Sequence, residues 1–258
     1  MSTIQQPYFR LWRPMKNYTN SIDNMFLEDS VPHPSLDYLL DNRFANQAEL
    51  KSLVISAHLI IRDLYDLFNY IEPCNNNLNT YSQRVYELLL RTCTEVEANF
   101  KGILTANSYI SRSYLKMPDY FKVEKISKLS EYEVSFNRWK ENIQFKPYAV
   151  WNNAISFVAL PWYDNYNQVK HDRYNNFDKA NLDSLMNAVA GLLVLLHAQC
   201  GGNMADACFT ELTIMQDSQY QLDTDTFVLK TPTFQNEEYE FIWDNIKSQT
   251  NPIVQYNF

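Results

Sequence analysis

The sequence predicts a mainly α protein: a helical bundle of four to five core helices, with a small β-hairpin insertion and an irregular C-terminal tail. Three observations predict it. Apolar residues recur at threes and fours over long segments. Only four glycines occur (Gly102, Gly191, Gly201 and Gly202), too few for a many-stranded sandwich full of tight turns. Clusters of proline and asparagine separate the apolar segments from one another.

Residues 1–46 read as an N-terminal arm, aromatic and broken by proline, whose Tyr8, Phe9 and Trp12 pack on the body. The bundle spans 47–205, and 206–258 is a C-terminal extension of the same domain. The first core helix runs from Gln47 to Glu72, with an apolar stripe that includes Leu50, Ala57, Ile61, Leu64 and Phe68. Pro73 stops it. A second helix runs from Tyr81 to Thr105, with Asn79 or Thr80 as N-cap. The short link between them predicts an antiparallel hairpin.

Beyond it, a helix beginning near Tyr109 is interrupted by Pro118. The alternating EYEVSFNRW predicts a strand that pairs with FKPYAVW, with Pro147 on an edge, giving a hairpin near 131–151. Pro161 suits the first turn of a helix that carries WYDNYNQVKHDR. Asn181 then caps a strongly apolar helix that ends at Gly201-Gly202. FTELTIMQ and TFVLKTP are strand-like, and Tyr239 to Ile246 is helical.

The composition excludes several classes. With 22 basic and 30 acidic residues, the net charge is −8, which argues against broad phosphate-driven nucleic-acid binding; no DNA partner is expected. Lys116, Lys122, Lys125 and Lys128 form the densest local run of basic residues and read as a solvated face. The glycines do not fall in a phosphate-loop or dinucleotide arrangement. Cys74, Cys93, Cys200 and Cys208 contain no CxxC, and the histidines lack finger-like spacing, so neither metal nor cofactor is expected. No apolar leader or membrane-length run is seen, so a cytoplasmic protein without a membrane partner is expected.

Two polar constellations stand out. At 100° per residue, Trp162, Tyr166 and Val169 share a core face of the WYDNYNQVKHDR helix, while Asp164, Asn167 and His171 share another, flanked by Tyr163 and Lys170. A carboxylate or amide beside an imidazole orients the ring and tunes it for acid–base work. Lys170 and Arg173 are suited to holding a phosphate. On the preceding long helix, Glu87, Arg91, Glu95 and Asn99 stand four apart. They form either a row of surface ion pairs or a face whose Arg91 and Glu95 reach His171. His58 and His197, each alone among apolar residues, read as core histidines; His33, between two prolines, reads as loop.

LLLRTCTEVEANFKGIL, together with PWYDNYNQVKHDR and the apolar helix that follows, resembles an uncharacterised bacterial all-helical family that is similar to the HEPN superfamily. The resemblance covers 47–200. It implies a four- or five-helix bundle on a long helical hairpin and a homodimer. It also implies metal-independent endoribonuclease chemistry of the kind found in defence and toxin–antitoxin systems. In that family four to six residues stand between an arginine and the histidine that follows it. His171 matches the histidine, but Asp164, Asn165 and Tyr166 occupy the arginine positions. On this reading His171, Arg91, Glu95 and Asn167 are the catalytic candidates. Lys170, Arg173, Tyr166 and Asp164 are the substrate-binding candidates, and RNA is the partner. The competing reading is a non-catalytic interaction or scaffold module in which the same residues form a structural hydrogen-bond network. The residues themselves leave open whether the protein is an enzyme.

Overall fold

The computed structural model describes residues 6–12, 47–111, 114–201, 226–234, 241, 245–246 and 248–258. Its frame is helical. Helix α1 (Gln47–Leu67) buries Val54, Ala57, Ile60, Ile61 and Leu64, the stripe that a 3.6-residue period places on one side. It ends before the expected Glu72: Ile71 and Tyr70 donate back to Leu67 in a closing turn. Helix α2 (Gln83–Ala106) is capped by Ser82, whose side chain accepts from the Val85 N–H at 3.2 Å. The expected caps, Asn79 and Thr80, lie outside the helix. The Thr80 and Leu78 carbonyls instead accept from the Leu182 and Asp183 N–H groups, each at 2.9 Å, tying the link to a later helix.

Short turns follow: α3 (Met117–Tyr120), a 3₁₀ turn, then α4 (Glu124–Ser127). Pro118 sits in the first turn of α3, so it starts a helix where an interruption was expected; its missing N–H costs nothing there.

The hairpin expectation is corrected. Strand β1 (Glu133–Phe136) makes its antiparallel ladder with β2 (Phe227–Lys230), from Glu133 opposite Lys230 to Phe136 opposite Phe227. FKPYAVW contributes a single bridge, Phe145 to Val134, at 2.8 and 2.9 Å. Pro147 soon after Phe145 lacks the N–H that a longer ladder would need. TFVLKTP therefore supplies the strand, while FTELTIMQ and most of Tyr239–Ile246 lie outside the described residues.

Helix α5 (Pro161–His171) carries the aromatic-polar stretch, with Pro161 at its start as expected. Asp172 ends it and caps α6 (Arg173–Asn176), accepting from the Asn175 N–H. Asn181 caps α7 (Leu182–Cys200) by accepting from the Ser184 N–H at 3.0 Å, again as expected. Helix α7 is the centre of the molecule: α1, α2 and α5 all pack on it, and only Asp183 and Asn187 along its length are not buried. A helix apolar on every side belongs inside. Among the described residues it is also the one helix long and apolar enough to cross a membrane, and here it is enclosed by protein.

Residues 6–12 lie across this bundle. Leu11 is fully buried, and the Trp12 N–H donates to the Ala198 carbonyl at 2.9 Å. Arg10, 2 % exposed, threads between the helices: its Nε donates to Gln199 Oε1 at 2.8 Å and its guanidinium meets Glu49 at 2.5 Å. Gln199 in turn donates to Asn99 Oδ1 at 2.7 Å, so one polar chain links strap, α1, α2 and α7.

Candidate functional site

Helix α5 sorts its side chains by the rotation its sequence implies. Trp162, Tyr163, Tyr166 and Val169 are buried, and the Trp162 indole N–H donates to the Pro147 carbonyl at 2.7 Å. Asp164 and His171 are exposed and Asn167 is half-buried. The split is the one the sequence predicts except at Tyr163, expected beside the polar face and found buried.

The buried tyrosines of α5 meet α2 at Glu97. One carboxylate oxygen, Oε1, accepts from the Tyr163 hydroxyl at 2.9 Å and from the Tyr166 hydroxyl at 3.2 Å. The other, Oε2, lies 3.3 Å from the Lys101 ammonium. Lys170, one turn past Tyr166, donates to its hydroxyl at 3.0 Å and stands over its ring. Burial and the Glu97 charge push the Tyr163 phenol well above the ordinary tyrosine range. Burial also raises Tyr166, against the hydrogen bond from Lys170. That same hydrogen bond raises Lys170. The tyrosines are therefore neutral donors, Lys170 is a cation, and Glu97 is the acceptor they share. Cys93 is fully buried, and burial drives its thiol up, so it is no thiolate nucleophile.

The structure brings Tyr166 and Lys170 together but turns Arg91 and Glu95 elsewhere. Arg91 pairs with Asp63 of α1 at 2.5 Å, in a mixed-charge surface groove that Asp66, Arg84 and Glu87 also line. Glu95 is raised by burial and lies within hydrogen-bonding reach of Ser56, also on α1. Asn99 is buried in the chain that leads to Arg10. The row of four thus spreads over the α1 side and the interior, and the α2 residue facing α5 is Glu97. The sequence carried a signal for it: Glu97 borders the buried stripe of Cys93, Val96 and Phe100, one residue after Val96 and three before Phe100.

His171 ends α5 in solvent. Neither it nor Asn167 makes a side-chain hydrogen bond among the described residues, so the tuned imidazole–amide pair is not formed. Asp164 accepts from Gln168 at 2.7 Å, and Lys179 reaches the other end of the same amide. Arg173 is exposed and lies over the Tyr86 ring at 5.5 Å. What gathers at this turn is an uncommitted imidazole with two exposed cations close in sequence.

His58 and His197 are buried, as expected of core histidines. The His197 Nδ1 lies 3.2 Å from the Tyr132 hydroxyl, and burial lowers its pKa to about 4. Cys74, Cys93 and Cys200 are buried thiols. Among the described residues no three His, Cys, Asp or Glu side chains are grouped to hold a metal ion. No family model, curated protein or solved structure matches the chain.

Proposed function

We propose that the chain is a HEPN-like protein that contacts RNA through the C-terminal turn of α5, in a defence or toxin–antitoxin setting. The observation that carries the reading is the exposed, uncommitted imidazole of His171, with the exposed Lys170 before it and Arg173 just beyond. A helical bundle with a long α1–α2 hairpin is compatible with it. In the chemistry this implies, His171 takes the proton of an RNA 2′-hydroxyl. The 2′-oxygen attacks the adjacent phosphorus, and the 5′-oxygen leaves with a proton. The products are a 2′,3′-cyclic phosphate and a 5′-hydroxyl. Lys170 and Arg173 hold the phosphate. With Arg91 committed to Asp63, the second site needed for catalysis comes from the α5 turn of another copy in a homodimer.

Labelled single-stranded RNA incubated with the protein in excess chelator tests this. The expected result is RNA retention at low salt and slow cleavage to cyclic-phosphate ends, with cleavage reduced at least 100-fold by His171→Ala at unchanged thermal stability. Cleavage that His171→Ala leaves intact would sink the catalytic part.

A second reading is favoured by a different observation: the buried tyrosines of α5, Tyr163 and Tyr166, both have their hydroxyls satisfied by Glu97. A satisfied network of this kind specifies packing. It supports a non-catalytic helical interaction module, and that reading gains if the protein neither retains nor cleaves RNA.

A further inference from the structure

Exposed apolar side chains cluster on two loops that flank one turn. Ile155 is fully exposed on the 150–158 loop, with Val150 and Val158 exposed beside it. Ile110 and Tyr114, 89 % and 85 % exposed, stand on the 107–116 loop. Both loops are pinned to residues 117–123. The Tyr109 hydroxyl donates to Asp119 at 2.7 Å, and Phe157 packs edge-on against Phe121 with ring centroids 6.3 Å apart. Scattered singly, such residues are ordinary; grouped, they mark a contact surface.

The 150–158 loop is held in shape. Trp151 is buried, and its indole N–H donates to the Val158 carbonyl at 2.8 Å. The Ala154 N–H closes a turn onto the Trp151 carbonyl at 3.1 Å. Asn153 has a φ of +54°, a left-handed conformation that asparagine tolerates. A fixed turn therefore presents Ile155, and little loop entropy is left to lose when a partner buries it.

The turn between the loops is basic. Lys116, Lys122 and Lys125 are exposed and make no ion pair among the described residues. Lys122 also stands over the Tyr109 ring at 5.6 Å, a contact that keeps its charge. The carboxylates here are engaged. Asp119 accepts from the Lys116 N–H at 2.9 Å as well as from Tyr109, and Glu124 accepts from the Ser130 hydroxyl at 2.6 Å. Glu131 lies 3.7 Å from Lys128. On a chain of net charge −8 this is a local reversal of sign, and screening over about 10 Å confines what a partner feels to this patch.

We propose that this surface docks on a bilayer rich in anionic phospholipid. Ile155, Val158 and Ile110 enter the boundary between headgroups and acyl chains. The lysine stems lie along that boundary while their ammonium groups meet lipid phosphates. Projecting apolar tips ringed by cations match a deformable anionic surface; a protein would need matching pits. The expectation of no membrane partner rests on span length, and lying on a bilayer needs no span. The inference does not depend on RNA contact at His171, since the 150–158 loop leads into the start of α5 and His171 stands at its end.

Co-sedimentation of the full chain with vesicles tests it. Phosphatidylcholine vesicles containing about 30 % phosphatidylserine should retain the protein, with binding at least 20-fold weaker to phosphatidylcholine alone. Raising salt to about 0.5 M should release it. Lys116→Glu and Lys125→Glu should each weaken binding at least 5-fold, and Ile155→Asp at least 10-fold, all at unchanged melting temperature. Ile155→Trp should still bind, and brominated lipid should quench its added fluorescence. His171→Ala should bind as the parent does. No retention by the phosphatidylserine vesicles overturns the proposal, as does retention that Ile155→Asp and the lysine variants leave unchanged. Self-association without vesicles that Ile155→Asp abolishes, with no vesicle binding, overturns it in favour of a protein interface.

Discussion

Two polar side chains, His197 and Glu97, show how far a single residue can be read from its neighbours. His197 was legible as a core histidine because only apolar residues surround it in sequence. Its folded pKa is about 4, lowered from 6.5 by burial. Between those values the unfolded chain binds a proton that the folded chain refuses. The stability that neutral His197 permits is therefore complete above pH 6.5 and is lost as pH falls toward 4, by about 3 kcal/mol. Urea denaturation at pH 7 and 4.5 should show the parent losing about 2 kcal/mol more than His197→Gln; equal losses would refute the assignment. Glu97 was legible only as a neighbour of the buried stripe of α2, because surface carboxylates on helices are common and nothing local says that two tyrosines from another helix will converge on it. Glu97→Ala leaves the hydroxyls of Tyr163 and Tyr166 without their acceptor and should cost about 1–3 kcal/mol. Glu97→Gln, which keeps an acceptor oxygen, should cost less in the same denaturation series.

Elements were legible where their start signals are local. Proline at the head of α5 and asparagine before α7 act on the backbone within one turn, so no tertiary knowledge is needed. Asn181→Ala removes the acceptor for the Ser184 N–H and should cost about 1 kcal/mol, read as a lower urea midpoint at unchanged slope. The strand EVSF was equally legible as a strand, since its inward residues Val134 and Phe136 alternate with outward ones. Its partner was not. Alternation fixes which face is buried but is silent on which edge pairs, and nearness in sequence favoured FKPYAVW over the distant FVLK. The same limit explains the row of Glu87, Arg91, Glu95 and Asn99. Spacing put them on one side of α2, while the partners came from α1 in two cases and from α7 in the third.

At the scale of the whole molecule, two glycines make room for one strap. A Cβ on Gly102 would run into the Arg10 guanidinium, and a Cβ on Gly201 would run into the Trp12 indole. Gly201 also has a φ of +83°, a conformation that glycine alone adopts freely. Scarce glycine was read from the sequence as a sign of helices; the structure adds that these two mark where a distant segment lies flat on them. Gly102→Ala must expel a guanidinium held by Gln199 and Glu49, and should cost about 2 kcal/mol while exposing residues 6–12 to limited proteolysis. Adding Arg10→Ala to Gly102→Ala should cost little more than either change alone, a coupling that a double-mutant cycle measures. The β1–β2 ladder has a different consequence, one of timing. Its strands are separated by about ninety residues of chain that include α5 and α7. Helices α1 and α2 need to close only a short link before they reward each other. The ladder closes a far longer loop, so its amides gain protection from exchange after those of the hairpin, and the sheet records when folding is finished.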